Sequence, residues 1–182
     1  MLEAIDLTKR YEDDVLALDH LNLKVEDGEL FALLGANGAG KTTTINLMLN
    51  FLDPTDGTAR INDIDVVANP LDAKQHVSYL PENVLLYGNL TAVQNLDFFT
   101  KLGGKRNVSR DEYQMVMRRV GLPERAFEMR VRKFSKGMRQ RLGIAIVIMK
   151  DAPVVIMDEP TSVLTPQEVD ELFKTLRRLS EE

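Results

Sequence analysis

The sequence of 182 residues contains no cysteine and only two histidines. The absence of cysteine excludes disulfides and thiol chemistry, and it fits a reducing compartment. His20 and His76 lie in unrelated segments, and we interpret both as structural or surface residues. The net charge of −5 lacks the basic excess that nucleic-acid binders usually carry, so we expect no nucleic-acid partner.

Long apolar runs are also missing. The apolar run at residues 142–149 has eight residues, well below the roughly 20 that span a bilayer. The first residues lack the basic start and apolar stretch of a secretion signal. With 44% hydrophobic and 28% charged residues, the composition is that of a soluble globular chain, and we expect one α/β domain in the cytoplasm.

The most informative stretch reads GANGAGKT, at residues 35–42, and fits the phosphate-loop pattern G-x-x-x-x-G-K-[ST]. The apolar run at residues 30–34 predicts a buried strand before it, and residues 43–49 predict a helix after it. Glycines at 35, 38 and 40 let successive N–H groups converge on phosphate oxygens, at the positive end of the new helix. Lys41 adds a full charge, and Thr42 supplies a hydroxyl for Mg²⁺. The alternative is a glycine-rich turn that happens to carry a lysine.

Two other segments predict buried strands that end in carboxylates. Residues 77–80 stop at a proline, which leaves Glu82 at a strand end, where parallel sheets build sites. Residues 154–157 are apolar and are followed by Asp158 and Glu159. Beside a phosphate loop, Asp158 can hold Mg²⁺ and Glu159 can polarise a water molecule. Acidic residues at strand ends are also common, so this interpretation depends on the phosphate loop.

Tyr11 and the segment at residues 134–141 each have two interpretations. Tyr11 ends the first predicted strand, where its ring could stack on a flat base or cover a sheet edge. Ser135 is a suitable N-cap and Gly137 leaves backbone N–H groups open, so this helix start is either a second anion site or an ordinary capped core helix. The six basic residues between Arg130 and Arg141 either form a solvated face or favour polyphosphate.

The middle of the chain predicts helices and turns. Thr91 caps a helix whose apolar residues are Val93, Leu96, Phe98, Phe99 and Leu102, and residues 109–112 form a capping box before another helix. Asp63 and Asp65 are interpreted as solvated turn carboxylates. The methionines suit an adaptable core better than a copper site.

These motifs occur in the order found in the nucleotide-binding subunit of an ABC (ATP-binding cassette) transporter, and the whole chain resembles that family. The shared stretches are Tyr11, GANGAGKT, the YLPEN that contains Glu82, FSKGM at 134–138, VVIMDEP at 154–160 and the turn at 161–165. The resemblance implies an α/β P-loop NTPase fold, with a mainly parallel core sheet, an N-terminal antiparallel β part and a helical subdomain. The core would comprise residues 1–89 and 150–182, and the subdomain residues 90–149.

The resemblance also implies a role for each site residue, with ATP and Mg²⁺ as cofactors. Tyr11 would stack on adenine, Thr42, Glu82 and Asp158 would hold Mg²⁺, and Glu159 would act on water. Ser135 and Gly137 would contact the γ-phosphate that an opposite subunit binds. The phosphates would be bound by Gly35, Ala36, Asn37, Gly38, Ala39, Gly40, Lys41, Thr42 and Thr43.

The implied function is an ATPase that powers a membrane transporter. Two subunits would pair head to tail around two ATP molecules, as a homodimer or with a related ATPase subunit, and drive transmembrane permease subunits on other chains. The chain would then lie peripherally on the cytoplasmic face of the membrane. YLPEN and FSKGMRQR resemble a branch with subunits for export, drug resistance and metalloenzyme maturation. The alternatives are an ABC ATPase that acts on ribosomes or DNA, and a module that binds ATP without turnover.

The end of the chain departs from the family pattern. Val163 and Thr165 replace the common glycine and aspartate, although residues 165–168 still form a capping box. The last helix carries Val169, Leu172, Phe173, Leu176 and Leu179 on one face. By resemblance, a strand bearing a switch histidine should follow this helix and insert between residues 30–34 and 154–156. We therefore expect the 182 residues to be a C-terminally incomplete cassette.

Overall fold

The computed structural model describes residues 1–159 and, beyond them, six helical positions, namely Gln167, Val169, Asp170, Phe173, Lys174 and Arg177. The turn at 161–165, three residues of the capping box at 165–168 and most of the predicted face of the last helix lie outside the described residues. The chain divides into two compact units. Unit 1 contains residues 1–78 and 152–156, and unit 2 contains residues 79–151 and 157–182. The predicted subdomain at residues 90–149 falls within unit 2, but its boundaries remain a prediction.

Strands and helices are interspersed along the described chain, and three long helices follow one another between the last two strands. In order they are β1 (Leu2–Arg10), β2 (Leu16–Val25), α1 (Lys41–Met48), β3 (Asp56–Ile61), β4 (Ile64–Asp65), α2 (Pro70–Gln75), β5 (Val77–Leu80), α3 (Ala92–Leu102), α4 (Arg110–Arg119), α5 (Lys136–Lys150) and β6 (Val154–Met157). Two short 3₁₀ turns, Glu124–Ala126 and Val131–Lys133, lie between α4 and α5.

The N-terminal part of unit 1 is an antiparallel sheet in the order β2-β1-β3-β4. Its pairing is irregular where β1 passes Asp6, which has a positive φ of 47°. A Cβ on Gly57 would lie 2.2 Å from the carbonyl oxygen of Asp6, so only glycine permits this approach of the two strands. The predicted antiparallel β part is confirmed.

A second sheet pairs β5 with β6. The Val154 N–H donates to the His76 carbonyl at 3.1 Å, and the Asp158 N–H donates to the Leu80 carbonyl at 2.9 Å. Both partners advance by the same number of residues, so the two strands run parallel. Parallel pairing aligns their carboxyl ends, which is where the candidate carboxylates follow.

The prediction of a buried strand at residues 30–34 is wrong. The described residues of this segment form neither helix nor strand, and Leu30, Phe31, Leu33 and Leu34 are exposed, the last of them by 88%. A parallel strand is buried only when neighbours cover both of its faces and edges. No described strand pairs with this segment, so its apolar side chains stay at the surface.

Strand β6 is also less buried than its sequence predicts. Ile156 is buried, but Val155 is 45% exposed. Among the described residues β6 has β5 as its only neighbour, which leaves part of its surface uncovered. Of the apolar residues predicted for α3, Phe98 and Leu102 are likewise exposed.

Unit 2 has a continuous hydrophobic core around its three long helices. In α3 the buried positions are Ala92, Asn95, Leu96 and Thr100, which follow helical spacing and place Phe98 and Leu102 on the outer face. From α4, Tyr113 and Met117 enter the same core. The core continues along α5 through Leu142, Ile144, Ala145, Val147 and Met149.

Each of these three helices begins at the cap residue that its sequence predicts. The Thr91 side chain accepts from the Gln94 N–H at 3.2 Å, while the Gln94 side chain accepts from the Thr91 N–H at 2.9 Å. Ser109 accepts from the N–H of Glu112, and Ser135 accepts from the N–H of Met138, both at 3.2 Å. These side chains satisfy N–H groups that have no partner within the helix.

Asp65 is more than the solvated turn carboxylate that we predict. Its side chain accepts from the Val67 and Ala68 N–H groups at 2.9 Å and from the Thr58 hydroxyl at 2.7 Å. Burial alone would raise the pKa of Asp65, but these hydrogen bonds outweigh it and hold the pKa below its usual value. Asp65 therefore fixes the turn that follows β4.

Candidate functional site

The phosphate-loop sequence adopts a backbone that requires glycine. Gly38 and Gly40 have φ angles of 83° and 85°. A Cβ on Gly40 would lie 2.5 Å from the carbonyl oxygen of Ala17, and backbone atoms cannot yield as a flexible side chain can. Gly40 is also the residue before α1, and it offers no side chain to cap the helix. The loop thus ends at an uncapped helix start, whose N–H groups suit an anion.

Lys41 is folded over the loop that precedes it. Its Nζ donates to the carbonyl oxygens of Gly35 at 2.7 Å and Ala36 at 2.9 Å. The ammonium therefore lies over the first residues of GANGAGKT, where the resemblance places phosphate. Thr42, the expected Mg²⁺ ligand, is exposed one residue further on. The intervening residues Asn37 and Ala39 are exposed as well.

The structure brings Tyr11 to the phosphate loop. The Tyr11 hydroxyl lies 3.3 Å from the Thr43 hydroxyl, and the Tyr11 ring is 37% exposed. An open cavity of about 430 Å³ adjoins the ring and is lined by Lys9, Arg10, Tyr11, Glu12, Asp13 and Leu52. Tyr11 thus combines an exposed ring beside a cavity with a hydrogen bond to the end of the phosphate loop. Such a ring can stack on the flat part of a ligand whose charged end lies in that loop.

In unit 2, the carboxylates follow the ends of neighbouring strands. The hydrogen bond from the Asp158 N–H to the Leu80 carbonyl makes these residues neighbours, and Glu82 is two residues beyond Leu80. The Tyr79 hydroxyl donates to the Asp158 carboxylate at 3.5 Å. Burial, followed by the negative charge of Asp158, raises the pKa of Tyr79. Tyr79 therefore keeps its proton and remains a donor to Asp158.

Glu159 has an unusual backbone. Its φ angle is 43°, in the left-handed region that residues with a side chain rarely adopt. Its side chain is exposed, whereas Asp158 is half-buried. Two adjacent carboxylates thus have different environments, as two separate roles would require.

The start of α5 combines an exposed Ser135 with a half-buried Gly137. The Ser135 hydroxyl caps the helix, as the sequence predicts. This geometry agrees with the ordinary capped helix, and the contact with an opposite subunit's phosphate remains a prediction.

The predicted residues fall into two sets. Tyr11 and residues 35–43 belong to unit 1, whereas Glu82, Ser135, Gly137, Asp158 and Glu159 belong to unit 2. Among residues 1–159 and the six helical positions after them, no group of three carboxylate, histidine or cysteine side chains is placed to hold a metal ion. A metal ion bound by these residues would therefore need further ligands, such as phosphate oxygens or water molecules.

Sequence reasoning missed two residues close to these sets. Lys9 lies two residues before Tyr11, and its Nζ is 5.6 Å from the centroid of the Tyr11 ring. The available signal was the spacing of two between Lys9, near the end of β1, and Tyr11 directly after it, because residues two apart in extended chain share a face. Gly143 lies in α5, and a Cβ there would be 2.7 Å from a methyl of Leu80 and 2.9 Å from one of Val84. Gly143 thus permits α5 to pack against the segment that carries Glu82.

Comparisons with known proteins agree on one family. The family described as ABC transporter matches residues 18–162. The chain is 38% identical over 167 residues to the probable multidrug ABC transporter ATP-binding protein YbhF of Escherichia coli, covering 91% of this chain and 28% of that protein. It is 37% identical over 184 residues to the bacitracin transport ATP-binding protein BcrA of Bacillus licheniformis, covering all of this chain and 58% of that protein. The chain therefore spans only part of the curated relatives it matches.

The fold has a close counterpart among solved structures. A dimeric structure of a post-hydrolysis state of the ATP-binding cassette MJ0796, bound to ADP and Pi, has a TM-score of 0.86 and 25% identity. The match covers all of this chain and 83% of the other. The expected α/β fold is therefore confirmed. Within the part of the chain that the structure describes, no helix is long and apolar enough to cross a membrane.

Proposed function

Because the chain belongs to the ABC transporter family, we propose that it binds and hydrolyses ATP to power a membrane transporter. This proposal rests on the phosphate loop, where a Cβ on Gly40 would clash with the backbone and Lys41 folds over the loop. A turn with only a structural role could end at a side-chain-capped helix, whereas here the first N–H groups of α1 have no side-chain cap and a lysine lies over the loop.

The loop fits the triphosphate end of ATP. The N–H groups of residues 35–43 bind phosphate oxygens, and Lys41 adds a charge once it leaves its two carbonyl partners. Tyr11 holds the base through stacking, in the cavity next to its ring. The nucleotide is thereby anchored at both of its ends.

We assign Mg²⁺ to Thr42, Glu82 and Asp158 because the family resemblance implies these ligands and all three offer hard oxygen atoms. The ion, when bound, neutralises charge on the phosphate oxygens. Tyr79 donates to Asp158 and so orients that carboxylate. Glu159 is exposed and is the residue we assign to polarising the attacking water.

Export, pairing and membrane association are part of the same proposal. The relatives YbhF and BcrA carry the names of multidrug and bacitracin transport proteins, which favours export. Those names do not support an ATPase that acts on ribosomes or DNA. The MJ0796 structure is dimeric, which favours pairing, and the resemblance implies a head-to-tail pair in which Ser135 and Gly137 contact the other subunit's γ-phosphate. Permease subunits on other chains would hold the pair at the cytoplasmic face of the membrane.

The test separates binding from hydrolysis. Lys41→Ala should lose ATP binding, because Lys41 pairs with charge that is already present on the bound phosphates. Glu159→Gln should bind ATP normally and stop phosphate release, because Glu159 is needed only when water attacks. Both variants are titrated with ATP and Mg²⁺ and then assayed for phosphate release. Equal loss of binding in both variants would contradict this division of roles, and an unaltered rate in Glu159→Gln would remove Glu159 from the reaction.

A further inference from the structure

The environment of Tyr11 includes a cation that no motif predicts. Lys9 Nζ lies 5.6 Å from the ring centroid of Tyr11 and donates to the Asp53 carbonyl at 2.7 Å. We propose that Lys9 is a positioning residue that holds the Tyr11 ring ready to receive a flat purine base. This inference rests on the proposed function and specifies how the base end of the nucleotide is held.

Tyr11 is restrained at three different points. Its N–H donates to the Val15 carbonyl at 2.9 Å, which fixes the backbone. Its hydroxyl lies 3.3 Å from the Thr43 hydroxyl, which fixes the far end of the side chain. The Lys9 ammonium fixes the ring between these two ends. A side chain that is 37% exposed would otherwise sample several rotamers.

Lys9 is suited to this role because its hydrogen bond does not neutralise the charge of its ammonium. Its hydrogen-bond acceptor, the Asp53 carbonyl, is neutral. The neighbouring Arg10 instead pairs its guanidinium with the Asp14 carboxylate at 2.9 Å. An ammonium near an aromatic ring is attracted by the ring's electrons, and the ring is still 37% exposed beside the cavity.

The charges around the cavity favour a neutral group over a second phosphate. Lys9 and Arg10 line it together with Glu12 and Asp13, and Arg10 is already paired with Asp14, so the cavity has no excess of positive charge. Leu52 adds an apolar surface. A purine base has the flat, uncharged character that such a cavity accepts, whereas a phosphate would meet repulsion from the carboxylates.

The experiment compares two ligands that differ in the presence of a base. ATP and inorganic tripolyphosphate are titrated calorimetrically, each with Mg²⁺, into the unaltered chain, Lys9→Gln, Lys9→Arg and Tyr11→Ala. The affinity of Lys9→Gln for ATP should fall about 2- to 5-fold, with tripolyphosphate affinity unchanged. Lys9→Arg should keep the ATP affinity, since a guanidinium also stacks on aromatic faces. Lys24→Gln serves as the matched control, because Lys24 lies in the same sheet and pairs with Glu26.

A double variant tests whether Lys9 acts through the ring. Adding Lys9→Gln to Tyr11→Ala should cause no further loss of ATP affinity, because the ring that Lys9 holds is already gone. Additive losses, equal losses for both ligands, or an unaltered ATP affinity in Lys9→Gln would each overturn the proposal. If the unaltered chain binds neither ligand, the nucleotide function itself fails, and the role of Lys9 fails with it. Circular dichroism of each variant confirms that the fold is retained.

Discussion

The helices of unit 2 and the phosphate-loop segment of unit 1 solve the same local problem in opposite ways. Helices α3, α4 and α5 each begin at a serine or threonine whose side chain accepts a first-turn N–H. Helix α1 begins after a glycine that provides no such acceptor. The first arrangement closes the helix, and the second leaves its N–H groups available to an external anion.

The two regions also differ in how they bury apolar residues. Leu142 of α5 is fully buried in the core of unit 2, whereas Leu34, which directly precedes the phosphate loop, is 88% exposed. Helices satisfy their backbone internally and then need only a packed face. A strand needs partners at its edges before its side chains can be buried. The described helices of unit 2 therefore close a core, whereas an apolar segment with no described strand partner stays exposed.

The largest expected effect contrasts these two leucines. Leu142→Ala should lower the free energy of unfolding by about 2–5 kcal/mol, because it leaves a cavity in a closed core. Leu34→Ala removes the same atoms from the surface and should stay within about 0.5 kcal/mol of the unaltered chain. Urea unfolding of both variants measures the difference. A similar loss at both positions would mean that residue 34 is buried in solution, and the comparison would fail.

A smaller effect is expected from the helix caps of unit 2. Thr91→Ala removes the acceptor for the Gln94 N–H and should cost about 0.5–2 kcal/mol in the free energy of unfolding. Thr91→Ser keeps an oxygen acceptor and is the matched control. Its loss of unfolding free energy should be only a few tenths of the loss in Thr91→Ala. Urea midpoints give both values. An unchanged midpoint in Thr91→Ala would show that water replaces the cap at no cost.

The smallest effect concerns an ion pair on the outside of α3. Lys101 Nζ lies 2.8 Å from the Asp97 carboxylate, which also accepts from the Tyr113 hydroxyl at 3.0 Å. The hydrogen bond from Lys101 lowers the pKa of Asp97, and burial raises the pKa of Tyr113 to about 12. A lowered carboxyl pKa stabilises the fold above the unfolded value of about 3.9, and this contribution is lost as pH falls through the folded pKa.

Asp97→Asn should therefore lower stability at pH 7 by about 0.3–0.5 kcal/mol, the usual size for an exposed pair four residues apart on a helix. The difference from the unaltered chain should disappear once the pH is below the folded pKa of Asp97. Urea midpoints at several pH values test this, with Lys101→Met as the control for the cation. A difference that persists at low pH would assign the effect to the Tyr113 hydrogen bond instead.

Sequence patterns predicted the features that depend on neighbouring residues. The caps Thr91, Ser109 and Ser135 were identified from residues within three positions, which is the range of the capping hydrogen bond. The glycines of the phosphate loop are likewise identified from the local sequence, and two of them, Gly38 and Gly40, have positive φ angles. In these places the sequence and the structure agree.

Features that depend on distant residues were predicted poorly. Residues 30–34 have the composition of a buried strand, but composition carries no information about which strands lie beside them. Asp65 has two local partners, the Val67 and Ala68 N–H groups, but its third partner, Thr58, lies on the neighbouring strand and has no local signal. For Lys9 the spacing of two from Tyr11 is a local signal, but its link to Asp53 joins residues 44 positions apart and has none. The roles of Glu82, Ser135 and Gly137 in nucleotide binding remain predictions.

The Gly35 and Ala36 carbonyls, which accept hydrogen bonds from Lys41, compete with an incoming phosphate for the lysine ammonium. An incoming phosphate must exchange two carbonyl contacts for its own, so its measured affinity is the difference between the two sets. The carbonyls are uncharged, and salt therefore screens the incoming anion far more than the contacts it displaces. The dependence of nucleotide affinity on ionic strength should then report the charge that the nucleotide brings to the loop. The dependence of nucleotide affinity on temperature should also include the breaking of the two hydrogen bonds from Lys41.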